Sequence, residues 1–524
     1  MAPSSPDSTA VVTDLALRIF SPSVPLYTCD FDPRIWHRID KELYLHEAQQ
    51  KAYLYVALAN EDKLTAEDKV VTDIRISELP PPSNSTELWE SRTCGIWVRI
   101  SKFSDDVGQA VTGVDVLFGT DAVDPRPQWD LTQSSLQLDY QPEIPVARLS
   151  VRHGRAIRNI REALRVNKDG TFKILQISDA HMVTGVGICN DAIDAHGKNL
   201  PESQADSRTV DFINQIVAAE KPDLVMLPGD LLHHDIPDSQ TALFKLLAPL
   251  IQHKIPYAMV FGNHDCEGDY ALSREEQMAI IETLPYSLSE AGPEQVDGVG
   301  NFYLQVLSFD PSERPVLTLF FLDSHSAIGE SSSKPDYKPI QPSQIVWYEK
   351  TSEALRHERV KDAKDDNFHL SFVVQHIPIP EFADKNLVIR SGHRREPTEC
   401  PSRDFSFYDA LVRQNASAII CGHDHVNNFC AQLQQWPQQD GTKIPSHLWL
   451  IHGGGSGFGG YCSYGQTRYY RQMRVFELNV RNKDLRTWMR EEYKSHRVDE
   501  LVLVQNGAAI DPSEDDERTS YITS

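Results

Sequence analysis

The residues best suited to chemistry stand where short apolar runs end. Tyr257-Ala-Met-Val-Phe261 breaks into Gly262-Asn263-His264-Asp265, setting amide, imidazole and carboxylate side by side. Packing has little use for such a group, because Asn and Asp are poor strand formers and need partners when buried. Four further runs end in the same way. Phe172–Ile177 leads into Ser178-Asp179-Ala180-His181, Leu224–Leu227 into Pro228-Gly229-Asp230, Leu370–Val374 into Gln375-His376, and Ala416–Ile420 into Gly422-His423-Asp424-His425. Asp179 and His181 are two residues apart, as are His423 and His425. In extended chain such pairs point the same way, so one cation could take both. Singly, each has an ordinary explanation: a histidine after a strand is usually a hydrogen-bonded core residue, and Asp after Gly a turn. Five coincidences of ligand type with strand end point instead to metal chemistry. Carboxylate, amide and neutral imidazole suit Fe, Mn or Zn, and the absence of cysteine donors argues against a structural zinc site.

The elements that must position these groups alternate. Besides the five runs, Leu317–Leu322 and Leu448–Ile451 read as buried strands, with helical patterns at Thr209–Glu220, Gln240–Gln252, Arg274–Leu284 and Ser343–Glu358. Buried strands with helices over their outer faces mean an α/β architecture, in which functional groups gather at strand C-termini. The first 150 residues read differently. Val11-Val-Thr-Asp-Leu15 recurs as Val70-Val-Thr-Asp-Ile74 and, degraded, as Ala110-Val-Thr-Gly-Val114, and a tryptophan follows each copy: Trp36, Trp89 and Trp129. Alternating apolar residues between Pro/Ser/Asp loops predict an all-β domain with threefold pseudosymmetry, in the manner of a β-prism; a plain β-sandwich is the competing expectation. The expected layout is a disordered tail over 1–10, the β domain over 11–152 and a connector over 153–171. The α/β domain follows over 172–494, then an acidic, largely disordered tail over 495–524.

Composition narrows the partners. A chain of 524 residues with a formal charge of -24 does not suit a nucleic-acid groove or an anionic membrane surface. An anionic substrate remains compatible, because bound cations can reverse the local field. No apolar stretch approaches the ~20 residues of a membrane helix. The start lacks a signal-peptide pattern, and the eight cysteines are scattered; both predict a reduced, cytoplasmic setting. The β domain is expected to offer a docking surface for a protein or a membrane.

In order along the chain, Asp-x-His, Gly-Asp, Gly-Asn-His-Asp, a later His and Gly-His-x-His resemble the signature of the calcineurin-like metallophosphoesterase superfamily. Lys173-Ile-Leu-Gln-Ile-Ser-Asp179, Leu284-Pro-Tyr-Ser-Leu-Ser-Glu-Ala-Gly-Pro293 and Gly453-Gly-Gly-Ser-Gly-Phe-Gly-Gly460 are similar to one branch of it. That branch holds the fungal dosage-dependent cell-cycle regulator phosphatase and the plant purple-acid-phosphatase-like proteins. The resemblance implies a four-layer α/β/β/α sandwich and two metal ions. It places Asp179, His181 and His425 on one metal, Asn263, His376 and His423 on the other, and Asp230 between them. His264 becomes the acid near the leaving group, with Asp265 orienting it. The implied activity is hydrolysis of a phosphate monoester by a metal-bridging hydroxide, with a phosphodiesterase or a non-catalytic scaffold on the same fold as alternatives. The implied substrate is a phosphorylated small molecule or phosphoprotein, selected by the insertions Val183–Asp206 and Phe382–Asp404. One position departs from the purple acid phosphatase pattern: His233 stands where those enzymes carry a tyrosine, so obligate iron(III) is not expected. Three further features are expected to be structural: Asp323-Ser-His325, Cys421 and the glycine run; His393-Arg-Arg395 is either a substrate contact or a solvated basic turn.

Overall fold

The structure, a computed structural model, describes residues 9–21, 30–46, 50–82, 88–104, 107–139, 141, 143–157, 161–200, 203–310, 313–329, 336–362, 368–433, 436–437, 443–444 and 447–510. The tails expected over 1–10 and 495–524 therefore lie partly outside the described residues. The chain divides into two compact units. One comprises Met1–Arg158 with Thr184–Val186 and Pro237–Ala248, and the other comprises the remainder.

The first unit contains three small antiparallel sheets of identical strand order. They are Ala10–Phe20, Lys51–Asn60, Trp36–Arg38; Lys69–Ile76, Ile96–Lys102, Leu88–Ser91; and Val111–Phe118, Ala147–His153, Trp129–Leu131. The sequence repeat marks the same irregularity in each. The register slips between Val12 and Asp14, between Val71 and Asp73, and between Val111 and Gly113. The residue left over is Thr13, Thr72 or Thr112, a bulge that adds local twist. Each threonine donates its hydroxyl across the sheet, to the carbonyl of Ala57, Arg99 or Arg152. The tryptophans face those same three residues from the far strand. Inward residues of all three sheets, among them Val12, Leu54, Val71, Val98, Val116 and Leu149, fill one core. This is the β-prism arrangement that the repeat implies. Within the unit, the helix Ser239–Gln252 also contributes: Thr241 Oγ1 accepts from the Phe118 N–H at 3.1 Å, and Lys245 Nζ donates to Asp121 at 2.8 Å.

Two sheets packed face to face build the second unit. The larger runs Leu164–Arg165, Phe302–Leu307, Pro315–Phe321, Leu370–Val374, Ala418–Cys421, Trp449–His452, Cys430–Leu433, Leu387–Ser391. The other runs Tyr257–Val260, Leu224–Pro228, Thr171–Gln176, Gln472–Asn479, Asp484–Glu491, Val498–Gln505, Ala508–Ala509. Period-two alternation explains the layers. Leu317, Leu319, Phe321, Phe372 and Val374 point inward, against Ile174, Met226 and Phe476 of the second sheet. Phe320, Val373 and Ile419 point outward, under Tyr348 and Leu355 of the helix Pro342–Asp362 and Phe407 of the helix Phe407–Arg413. Helix Ala205–Glu220 makes the crossover from Thr171–Gln176 to Leu224–Pro228 in the second sheet, and helix Arg274–Ile281 lies on the path from Tyr257–Val260 to Phe302–Leu307 of the larger one. Two stretches expected to be irregular carry strands. The connector contains Leu164–Arg165, paired with Val306 and Leu307. The tail expected from 495 instead carries Val498–Gln505 into the sheet against Leu485–Met489, because its run Leu501–Val504 puts Leu503 and Val504 into the core.

Candidate metal centre

All five ligand-bearing runs are strands, and their C-terminal ends converge. Asp179, His181, Asp230 and His425 bring carboxylate oxygens and ring nitrogens within 4.8 Å of one another, and so do Asp230, His376 and His423. Asp230 is common to both groups. Its Oδ2 lies 3.1 Å from His376 Nε2 and 3.9 Å from His181 Nε2. Such convergence requires abrupt turns directly after the strands. Asp179, His181, Asp230 and His423 accordingly take left-handed φ values of 55°, 47°, 49° and 76°. For residues other than glycine that conformation is uncommon and costs about 1–3 kcal/mol each, so the surrounding structure must enforce it.

The donor set fits two cations. Asp179 Oδ2 and Asn263 Oδ1 are buried without a hydrogen-bond partner among the described residues. Each such group costs about 1–3 kcal/mol unless something meets it. His181 Nε2 faces His425 Nε2 at 3.1 Å, and His376 Nε2 faces His423 Nδ1 at 3.3 Å. Rings brought so close need a proton or a cation between their nitrogens. Second partners fix which nitrogen is presented. His376 Nδ1 donates to the Pro228 carbonyl at 2.8 Å and His425 Nδ1 to the Tyr461 carbonyl at 2.8 Å, which turns Nε2 of each inward. Burial holds His181 and His423 well below the usual imidazole range and pushes His425 down to about 3, leaving lone pairs free to ligate. Burial presses His376 in the same direction, but the Asp230 carboxylate against it prevails and holds the ring up at about 9. A proton there occupies the position a cation would take.

Asp265 and His264 differ from expectation. Asp265 does not orient His264. Its buried carboxylate accepts from the main-chain N–H groups of Asp230, Leu231, Leu232 and Gly262 at 2.6–3.0 Å. The partner of His264 Nδ1 is Glu267, and the His264 N–H donates to Asp230 Oδ1 at 2.9 Å. Composition conceals this, since Asp265 and Glu267 are equally plausible neighbours; the i, i+3 spacing of Glu267 is the only sequence signal. His264 lies at the rim, its ring centroid 5.5 Å from that of His181. His233 Nδ1 is 3.4 Å from His181 Nδ1, and its ring rests on His234. It supports a ligand and belongs to neither cluster.

The remaining candidates hold the site. Asp323 pairs with Arg274, which also donates to the Gly262 carbonyl at 2.7 Å. The capping box of Ser273 and Glu276 starts the helix that carries Arg274. Ser324 Oγ accepts from the N–H of Ile377 at 2.9 Å, just after His376. The glycine run is a strap rather than a phosphate cradle. The N–H groups of Gly455, Ser456 and Gly457 bond the carbonyls of His425, Ser178 and Asp179 at 2.8, 3.0 and 3.1 Å. Arg394 and Arg395 do not form a solvated turn. They donate to the carbonyls of Phe382 and Val426 and stack on Phe429 and Tyr469. The insertion around them supplies the glutamates of two tyrosine–glutamate pairs that sequence reasoning missed. Tyr461 stacks on His425 at 3.9 Å with its hydroxyl on Glu396, and Tyr337 meets His423 edge-on at 4.8 Å with its hydroxyl on Glu399. No local pattern announces Tyr337, which lies over 80 residues from the histidine it covers.

A sequence profile described as calcineurin-like phosphoesterase matches residues 172–427. Phosphatase DCR2 of Saccharomyces cerevisiae is 34% identical over 401 residues, which cover 72% of this chain and 64% of that protein. The chain thus spans less than two-thirds of that relative. A protein of Arabidopsis thaliana named Probable inactive purple acid phosphatase 29 is 34% identical over 378 residues, covering 66% of this chain and 90% of the relative. Among solved structures, a purple acid phosphatase from yellow lupin (Lupinus luteus) seeds superposes at a TM-score of 0.40 and 10% identity, covering 94% of this chain and 96% of that one. Among the described residues no helix is long and apolar enough to cross a membrane.

Proposed function

The chain belongs to the calcineurin-like phosphoesterase family, and from that premise we propose that it is a dinuclear-metal phosphatase acting on a phosphate monoester. One observation carries the reading: Asp230 is shared by two ligand clusters, and each holds a buried atom without a partner among the described residues, Asp179 Oδ2 in one and His423 Nε2 in the other. Asp179, His181 and His425 would hold one ion, Asn263, His376 and His423 the other, and Asp230 both. The ions would be Fe, Mn or Zn, which this donor set does not distinguish. When bound, they supply an acidified water and positive charge to meet the charge developing on the phosphoryl oxygens.

The chain's own residues do the rest. Strand-end turns and the glycine strap keep the ligands from spreading apart. His264, at the rim and paired with Glu267, is placed to protonate the departing alkoxide, a contribution of about 10²–10⁴-fold. The carboxylates of Asp265 and Asp323 hold the loops that carry Asp230 and Asn263. A scaffold reading has one specific support, the word "inactive" in the names of the Arabidopsis relatives. It is opposed by the complete ligand set and by His264 with its carboxylate partner.

Hydrolysis of p-nitrophenyl phosphate in added Mn²⁺, Fe²⁺ or Zn²⁺, with His264→Ala as the comparison, separates the two. A phosphatase turns over with metal, loses activity in chelator and is slowed by the substitution. Two bound metal equivalents without turnover on any mono- or diester would establish the scaffold.

A further inference from the structure

We propose that a cavity at the opposite end of the larger sheet is an anion-binding site for a phosphoryl group carried on a ring. The cavity holds about 240 Å³ and is lined by Arg314, Arg356, Arg359 and His369, with Phe320 and Phe368. It opens where the parallel strands begin, beside Pro315, Ser371 and Asn415. His376 and His423 follow the other ends of those strands. A five-residue strand such as Leu370–Val374 spans roughly 16 Å, so one small ligand cannot occupy both places.

Three observations mark it as a site. First, Arg356 and Arg359 stand three residues apart on the helix Pro342–Asp362, so both face the cavity. Second, both are half-buried, and among the described residues neither bonds a carboxylate and no Asp or Glu lines the cavity. In a chain of net charge -24 acidic partners are abundant, so leaving two neighbouring guanidinium groups unneutralised is costly unless an anion joins them. Burial and the nearby Arg356 both act to lower the Arg359 pKa, which is the repulsion an anion would relieve. Third, the neutral groups present suit the same ligand. Burial, and then Arg359, push His369 down to about 3, so its ring is an uncharged donor or acceptor, bonded to Thr318 Oγ1 at 2.9 Å. Gln414 Oε1 is buried and unpartnered among the described residues. The Phe320 and Phe368 rings give an apolar wall. Paired guanidinium groups recognise phosphoryl oxygens in a fork geometry that lysine does not offer.

The inference is independent of the phosphatase reading, and its test isolates it. Full-length protein in excess chelator, which strips the metal centre, is titrated calorimetrically with phenylphosphonate, a probe that cannot be hydrolysed as an ester. Saturable one-to-one binding is expected, weakened about tenfold or more in Arg356→Gln/Arg359→Gln and less tight for inorganic phosphate, which lacks the ring. In the unsubstituted protein, phenylphosphonate should also protect Arg356 and Arg359 from phenylglyoxal, read by mass spectrometry. Equal affinity in the double variant, unprotected arginines, or no saturation by about 10 mM probe would each overturn the proposal.

Discussion

Asp265 grips Asp230 through the main chain: its Oδ2 accepts from the Asp230 N–H at 3.0 Å and from the Gly262 N–H at 2.6 Å, tying two strand-end loops together. A carboxylate that satisfies four buried N–H groups cannot be removed without stranding them. Hydrogen bonds to charged groups are worth roughly 1.5–3 kcal/mol each, and these four share one anchor. Asp265→Ala should therefore cost about 3 kcal/mol or more and release metal, seen as a lower denaturation midpoint and fewer than two metal equivalents by elemental analysis. Unchanged metal content would mean that the loop holds its own shape.

The pairing of His264 with Glu267 predicts a dependence on the leaving group. Glu267→Gln keeps an acceptor for Nδ1–H but removes the charge that favours imidazolium. Alkyl phosphates, whose alkoxide needs a proton, should slow by about tenfold or more in kcat, a fraction of the ~10²–10⁴ that a general acid supplies. The p-nitrophenyl ester should slow far less, because its leaving group departs as an anion. Equal losses on both substrates would remove His264 from the leaving-group side.

Much of this site was legible because ligand type and strand end coincide within a few residues. A run such as Phe172–Ile177 followed by Asp179 and His181 contains both its element and its chemistry. The threefold β module was legible for a similar reason: the Val-Val-Thr repeat is the bulge itself. What escaped depends on contacts between distant segments. Asp265 and Glu267 are both acidic residues near His264, and only the turn after Gly262 decides which one faces the ring. Glu396 and Glu399 reach the centre from the insertion Phe382–Asp404, and Tyr337 from the short strand Asp336–Tyr337, along paths that no local pattern fixes. Val498–Gln505 was obscured by the charged residues within it, Asp499 and Glu500, although its later Val and Leu residues still satisfy the sheet.

Glu381 gives a pH dependence of stability away from the metals. Burial, with Asp404 next, pushes its carboxyl up to about 8, and its Oε2 has no partner among the described residues. A carboxyl with a raised folded pKa holds its proton in the folded state after the unfolded chain has released it. The stability it contributes is full below about 4.5 and is lost as pH rises to about 8, at no more than about 1.4 kcal/mol per pH unit. Glu381→Gln cannot ionise. Its stability relative to the unsubstituted protein should be near zero at pH 5 and increasingly favourable through pH 8, followed by chemical denaturation at each pH. A difference independent of pH would place the Glu381 carboxylate in water.

The glycine strap makes the sharpest steric prediction. A Cβ built on Gly457 would lie 1.8 Å from the carbonyl oxygen of Ala180, between Asp179 and His181, and the obstacle is backbone rather than a movable side chain. Gly457→Ala must displace either the strap or the ligand loop. Because Gly457 N–H also bonds the Asp179 carbonyl at 3.1 Å, both move together. The expected loss is about 3 kcal/mol or more, within the range of overpacking and strain at a special position, with metal affinity falling alongside. Gly465→Ala is the control. It has open space around the new methyl group and only its φ of 63° to resist it, so it should cost about 1 kcal/mol and leave metal content alone. Parallel thermal denaturation and metal analysis of the two variants would show whether the glycines serve close approach, as the geometry requires, or only flexibility, in which case both would behave alike.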